Sequence, residues 1–168
     1  MARGSMTDRY RQAVYDAEDQ WSSLIDRGGQ VDFFGSNLEV PVQMRFGRLE
    51  EVVTYVGHVC DRYGIQAPSI RHRKGGMRAH YSKGENSTVD NFHGEIAIPS
   101  NELWAMRESV VLHEVAHHVC VHENGGIEHG PAFASVMLVL VREHMGHEAE
   151  LLLRTGYSAA GVPIEQPA

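Results

Sequence analysis

Apolar residues recur at three- and four-residue steps over 7–26, where Tyr10, Val14, Ala17, Trp21, Leu24 and Ile25 share one face. That period predicts an amphipathic helix, stopped at Gly28-Gly29. Over 30–42 the pattern becomes strand-like in two pieces. Phe33-Phe34 leads into the turn residues Gly35-Ser36-Asn37, and Leu38, Val40 and Val42 then alternate, which predicts a hairpin. A second helix is predicted over 49–63, with Val52, Val53, Val56, Val59 and Cys60 as its buried stripe and Gly64 as its stop. Cys60 there reads as a small core residue. Segments 67–73 and 77–82, around Gly75-Gly76, and 93–99 are predicted strands, with a polar loop over 83–91. In the last strand Gly94, Ile96 and Ile98 face one way, and His93, Glu95 and Ala97 the other. Pro99 suits an edge strand or a strand end. Ser100 or Asn101 is expected to cap a central helix running to about Glu123. On its wheel Val111, Leu112, Val115, Ala116 and Val119 form a core face. Met106, Val110, His113, His117 and Cys120 form the other, expected to line a cleft. Beyond the Gly125-Gly126 break, helices are expected over 132–145, with Pro131 at the first turn, and over 148–155, stopped at Gly156.

The order of helix, hairpin, helix, three strands and further helices predicts an α+β fold, with a small, mostly antiparallel sheet packed on helices. With 168 residues and no repeat or linker, one domain over 6–157 is expected, preceded by a vector remnant (Met1 to Ser5) and followed by a loose tail over 158–168. A formal charge of −7 with only 15 Lys and Arg argues against non-specific nucleic-acid binding, and Arg71, Arg73, Lys74 and Arg78 read as a solvated strand and turn. Two cysteines make no disulfide framework and point to a reducing compartment. No apolar stretch is long enough to span a membrane and no signal-peptide core opens the chain, so the expected location is the cytoplasm. Oligomeric state is not legible.

The chemistry concentrates at His113-Glu114-Val115-Ala116-His117. Two histidines four apart on a helix stand about 40° apart on one face, so both ring nitrogens reach one metal ion. Glu114, about 100° round from His113, lies beside that ion, where a general base for an activated water belongs. This HExxH pattern in helical context signals a zinc-dependent hydrolase. Eleven histidines make a chance match, a surface His pair, the competing explanation.

Hydrolytic zinc takes three protein ligands and leaves one position open. Glu123 follows His117 at the metzincin spacing, but those proteins turn the chain at a glycine where this one has Cys120. Cys120 shares the metal face, yet about 10 Å of helix separates it from His113. His122 points away. His129 follows the two-glycine break and precedes a proline-started helix, which places it ahead of Glu123 and Cys120.

The stretch HEVAHHVCVHENGGIEHGPAF resembles the SprT-like zincins, which pair HExxH with a downstream HGxxF or HGxxW. The longer run GEIAIP…W…RESVVLHEVAHH…HGPAF, with YDAEDQW, DFFGSNLEVP and LLLRTGY, resembles a family of actinobacterial metallohydrolases of unassigned substrate. The resemblance covers most of the chain. It implies a zincin-type fold, His113, His117 and His129 as zinc ligands, and Glu114 as the base. It supplies no substrate. The absence of a Cys-rich ribbon and a basic tail departs from the DNA-repair SprT proteins.

The expected function is a zinc-dependent metallopeptidase acting on a peptide or protein. Zinc lowers the pKa of its water to about 7, and Glu114 carries the proton to the leaving amine. The strand 93–99 would pair with extended substrate as a sheet edge. Tyr157, Tyr81, His80 and His93 are candidates for stabilising the oxyanion, each more simply a packing or surface residue. Glu128, Glu108 and Asp90 are candidates for orienting a ligand histidine. His118 and His122 are expected at the surface, and Trp104 and Phe133 in the core. The alternatives are a zinc-stabilised binding or regulatory module without turnover, or a SprT-like DNA–protein crosslink protease.

Overall fold

A computed structural model describes residues 8–76, 78–84 and 93–165. The expectations for Met1 to Ser5, Met77, Asp90 and most of the 83–91 loop lie outside those residues. The chain divides into two compact units, Met1–Pro41 with Ile127–Ala168, and Val42–Gly126. The described residues form five α-helices and two small sheets, an α+β architecture.

The first unit contains α1 (Arg11–Arg27), the strands β1 (Gly29–Phe33) and β2 (Ser36–Val40), α4 (Pro131–Met145) and α5 (His147–Ala159). β1 and β2 pair antiparallel, with Phe33 opposite Ser36, so the turn is Phe34-Gly35 and not the later triplet. Both turn residues have positive φ, 51° and 82°. This is the two-residue turn whose twist matches a hairpin. The Asp32 carboxylate accepts the Gly35 N–H at 3.0 Å and holds it. Val14, Ala17, Trp21 and Ile25 of α1 are buried, and the Trp21 indole N–H donates to the Ala149 carbonyl at 3.0 Å. Glu18, also buried, accepts the hydroxyl of fully buried Tyr157.

α5 does not stop at Gly156. A methyl group there would only touch Ala17, at 3.8 and 3.9 Å, so the glycine marks a close helix approach and not a break. The expected loose tail is docked as far as the described residues go. Val162 is buried, its N–H bonds to the Tyr157 carbonyl at 2.9 Å, and Glu165 N–H donates to Ser135 Oγ at 2.9 Å.

The second unit contains α2 (Leu49–Tyr63), β3 (Ser69–His72), β4 (His80–Lys83), β5 (Gly94–Ile98), a 3-10 turn (Leu103–Ala105) and α3 (Glu108–Asn124). α2 has the predicted bounds, closed by Gly64 in the left-handed conformation, although Val53 is exposed and drops out of its stripe. β3 and β4 flank Gly75-Gly76 but do not pair with each other. β5 lies between them, parallel to β3 and antiparallel to β4. The expected edge strand is therefore the central one. Ile96, Ala97 and Ile98 are all buried, and a strand packed on both faces belongs in the middle of a sheet. Pro99 marks its end.

The central helix starts later than Ser100 or Asn101, at Glu108. The chain before it is held by distant residues. Arg107 forms a bridge with Arg45, Phe46 N–H bonds to Met106 O at 2.8 Å, and Glu108 N–H to Met44 O at 3.0 Å. On the face expected to line a cleft, Val110 is half-buried, but Met106, His113, His117 and Cys120 are buried, as is every residue from 111 to 121.

Replacing Tyr157 by Phe removes a donor from the buried Glu18 carboxylate. The expected cost is roughly 1–3 kcal/mol. Denaturant unfolding of the two proteins measures it, and an unchanged midpoint would show that Glu18 is satisfied without the phenol.

Candidate metal centre

α3 is pinned at its N-terminus before it presents any chemistry. The buried Glu108 carboxylate accepts Met44 N–H at 2.9 Å and the Tyr55 hydroxyl at 2.7 Å. Burial and this carboxylate push the Tyr55 pKa far above its ordinary value, so the phenol stays protonated and donates. Gln43 Oε1 takes the Ser109 N–H at 3.1 Å, satisfying one of the amides left over at a helix start. At the other end Gly125 adopts the left-handed conformation, and its N–H bonds to Val121 O at 2.9 Å, which terminates the helix after Asn124.

Between these two anchors the rings of His113 and His117 meet edge to face one turn apart, with centroids 5.0 Å apart and planes at 73°. Both are buried, as is Glu114 between them in sequence. The Tyr81 ring lies parallel to that of His117, at 12° and 6.2 Å between centroids.

His118 is not at the surface, as expected, but fully buried. Its Nε2 meets the Gln66 carbonyl at 2.7 Å, and its Nδ1 meets the Tyr81 hydroxyl at 3.1 Å. A carbonyl only accepts, so Nε2 carries the hydrogen. Burial holds the His118 pKa below its ordinary value, which keeps the ring neutral and leaves Nδ1 as an acceptor. The Tyr81 phenol, its own pKa raised by burial, therefore donates to His118.

His129 is buried and lies two residues before the start of α4, where Pro131 occupies the first turn. The carboxylate of Asp8 grips it twice. Oδ2 lies 2.6 Å from Nδ1, and Oδ1 accepts the His129 backbone N–H at 3.1 Å. A carboxylate opposite Nδ1 fixes the hydrogen there and leaves the Nε2 lone pair for a metal. The ring is flanked by Tyr15 at 5.0 Å and Phe133 at 4.9 Å between centroids.

His113, His117 and His129 form a buried group that can hold a metal ion, with one ligand atom from each and all of these within 4.8 Å of one another. Neither Cys120 nor Glu123 belongs to this group, and Glu123 is exposed. No protein-family model matches the chain, and no curated protein or solved structure matches it. The site therefore stands on its own geometry. Three imidazoles suit a borderline-soft divalent ion, and a carboxylate behind a ligand histidine is the usual accompaniment of such an ion.

Of the other expected participants, Tyr157 is committed to Glu18, and His80 and His93 are exposed. Glu108 serves the start of α3, and Glu128 is exposed. The carboxylate that meets His129 is that of Asp8, and no motif marks it, because 121 positions separate the pair. His122 is exposed as expected. Phe133 is a core aromatic that also flanks His129, and Trp104 is only half-buried. No helix among the described residues is long and apolar enough to cross a membrane.

If the three histidines hold a metal ion, replacing Asp8 by Ala should weaken its binding by about 10–100-fold, the range found when such supporting carboxylates are removed. Competition against a chromogenic chelator reads this directly. Wild-type affinity in that variant would mean that His129 needs no orienting partner.

Proposed function

We propose that this protein is a zinc-dependent metallohydrolase of zincin type, and that it cleaves peptide bonds in a peptide or protein substrate. The observation carrying this reading is the buried group of three histidines, with Glu114 following His113 on α3. A set of three favours a catalytic over a structural zinc, since structural sites are closed by a fourth protein ligand. His113, His117 and His129 would hold the ion. Zinc bound there would polarise a carbonyl and lower the pKa of a water to about 7.

The remaining work falls to the chain. Glu114 accepts the proton of the attacking water and returns it to the leaving amine. Its burial shields that proton from exchange with bulk solvent. Asp8 keeps His129 in one tautomer and one orientation. The outer strands β3 and β4, rather than the central β5, offer the positions at which an extended peptide could add to the sheet. The charge of −7 favours a protein substrate over a nucleic-acid-bound one, and the two free cysteines fit a cytoplasmic setting.

The test is Glu114→Gln, assayed on a panel of unfolded proteins and peptides. The amide keeps the size but cannot take a proton, so zinc content should be unchanged while turnover falls by about 100- to 10,000-fold. Retained turnover would remove Glu114 from the base role, and a wild type that binds zinc without hydrolysing anything would favour the binding-module alternative.

The ligand set is tested separately. His129→Ala should lose zinc affinity steeply, whereas Glu123→Ala and Cys120→Ser should titrate like wild type. The reverse pattern would place the third ligand inside the end of α3.

A further inference from the structure

Three observations within the second unit converge on His117. The Tyr81 ring lies parallel to its imidazole, at 12°. That tyrosine is itself held by a hydrogen bond of 3.1 Å to His118 Nδ1, and His118 is anchored through Nε2 to the Gln66 carbonyl at 2.7 Å. Finally, Gly94 on β5 is where this pair approaches the backbone too closely for a side chain. A Cβ at that position would sit 2.6 Å from His118 Nδ1, 2.6 Å from the Tyr81 hydroxyl oxygen and 2.8 Å from Tyr81 Cε2.

We propose that Gln66, His118 and Tyr81 form a relay that positions the His117 ring for metal binding, with Gly94 as the residue that makes space for it. The proposal rests on the reading of His117 as a ligand. It adds the residues that fix that ligand's orientation. Asp8 does for His129 by direct hydrogen bonding what Tyr81 does for His117 by ring contact. A parallel aromatic face restricts rotation of the imidazole without taking up either of its nitrogens, so one stays available to an ion. The hydroxyl of Tyr81 is engaged by His118, so its part is to position and not to stabilise an oxyanion.

Tyr81→Phe separates this role from packing, since the ring volume stays and only the tether to His118 goes. Gly94→Ala attacks the same pair from the other side. Tyr157→Phe, in the other unit, is the control for loss of stability alone. Three quantities are read: zinc affinity by chelator competition, thermal stability of the metal-free protein, and the ring signals of His117 in two-bond proton–nitrogen spectra of the metal-free protein.

Tyr81→Phe and Gly94→Ala should lower zinc affinity by about tenfold or more and should shift or broaden the His117 ring signals. Tyr157→Phe should lose stability with zinc affinity unchanged. Wild-type zinc affinity and wild-type His117 signals in Tyr81→Phe would overturn the relay, whatever the stability of that variant. A wild-type protein that takes up no zinc would instead remove the metal reading, while the His117 signals of Tyr81→Phe would still decide whether the tyrosine orders that ring.

Discussion

Burying an ionisable side chain costs several kcal/mol unless partners replace its water, and α3 buries Glu108, Ser109, His113, Glu114, His117 and His118 within eleven consecutive positions. Most of the surrounding architecture answers that demand. Tyr55 and the Met44 amide meet Glu108, Gln43 meets Ser109 N–H, and Gln66 with Tyr81 meets His118. These partners come from α2, from the segment before it, from the loop leading to β3, and from β4. The second unit is in this sense assembled around the polar needs of one helix. A helix this polar would stay at a surface if only apolar burial were at stake. Its burial separates this HExxH from a pair of surface histidines.

The local signals in the sequence were legible and the distant ones were not. Both ends of α2 follow from its apolar period and from Gly64, and the end of α3 follows from Gly125, because such stops depend only on neighbouring residues. The start of α3 does not. Ser100 and Asn101 have capping chemistry, but the pairing of Arg107 with Arg45 keeps the intervening chain extended or tightly turned. Pro99 is compatible with an edge strand and with a strand end, and only the pairing of β5 on both sides decides between them. Gly156 reads as a stop until Ala17 is seen beside it.

The same division runs through the candidate site. His113, Glu114 and His117 are set by one helix and so can be read from spacing. His129 could be ranked above Glu123 and Cys120 because a two-glycine break and a proline-started helix are local features. Asp8 is 121 positions from the histidine it holds, and His118 is 52 positions from Gln66 and 37 from Tyr81, so nothing near either residue announces the contact. Supporting contacts are harder to foresee than candidate ligands for this reason: ligand spacing obeys helix geometry, while supporting contacts obey the tertiary fold.

The central claim is that His113, His117 and His129 exist to hold one metal ion. Elemental analysis of protein purified without a metal-affinity step tests it most directly. The account predicts one zinc per chain, removed by chelators with a loss of stability, because the folded protein binds the ion in preference to the unfolded one. A metal-free protein of undiminished stability, which takes up no zinc when it is supplied, would contradict it.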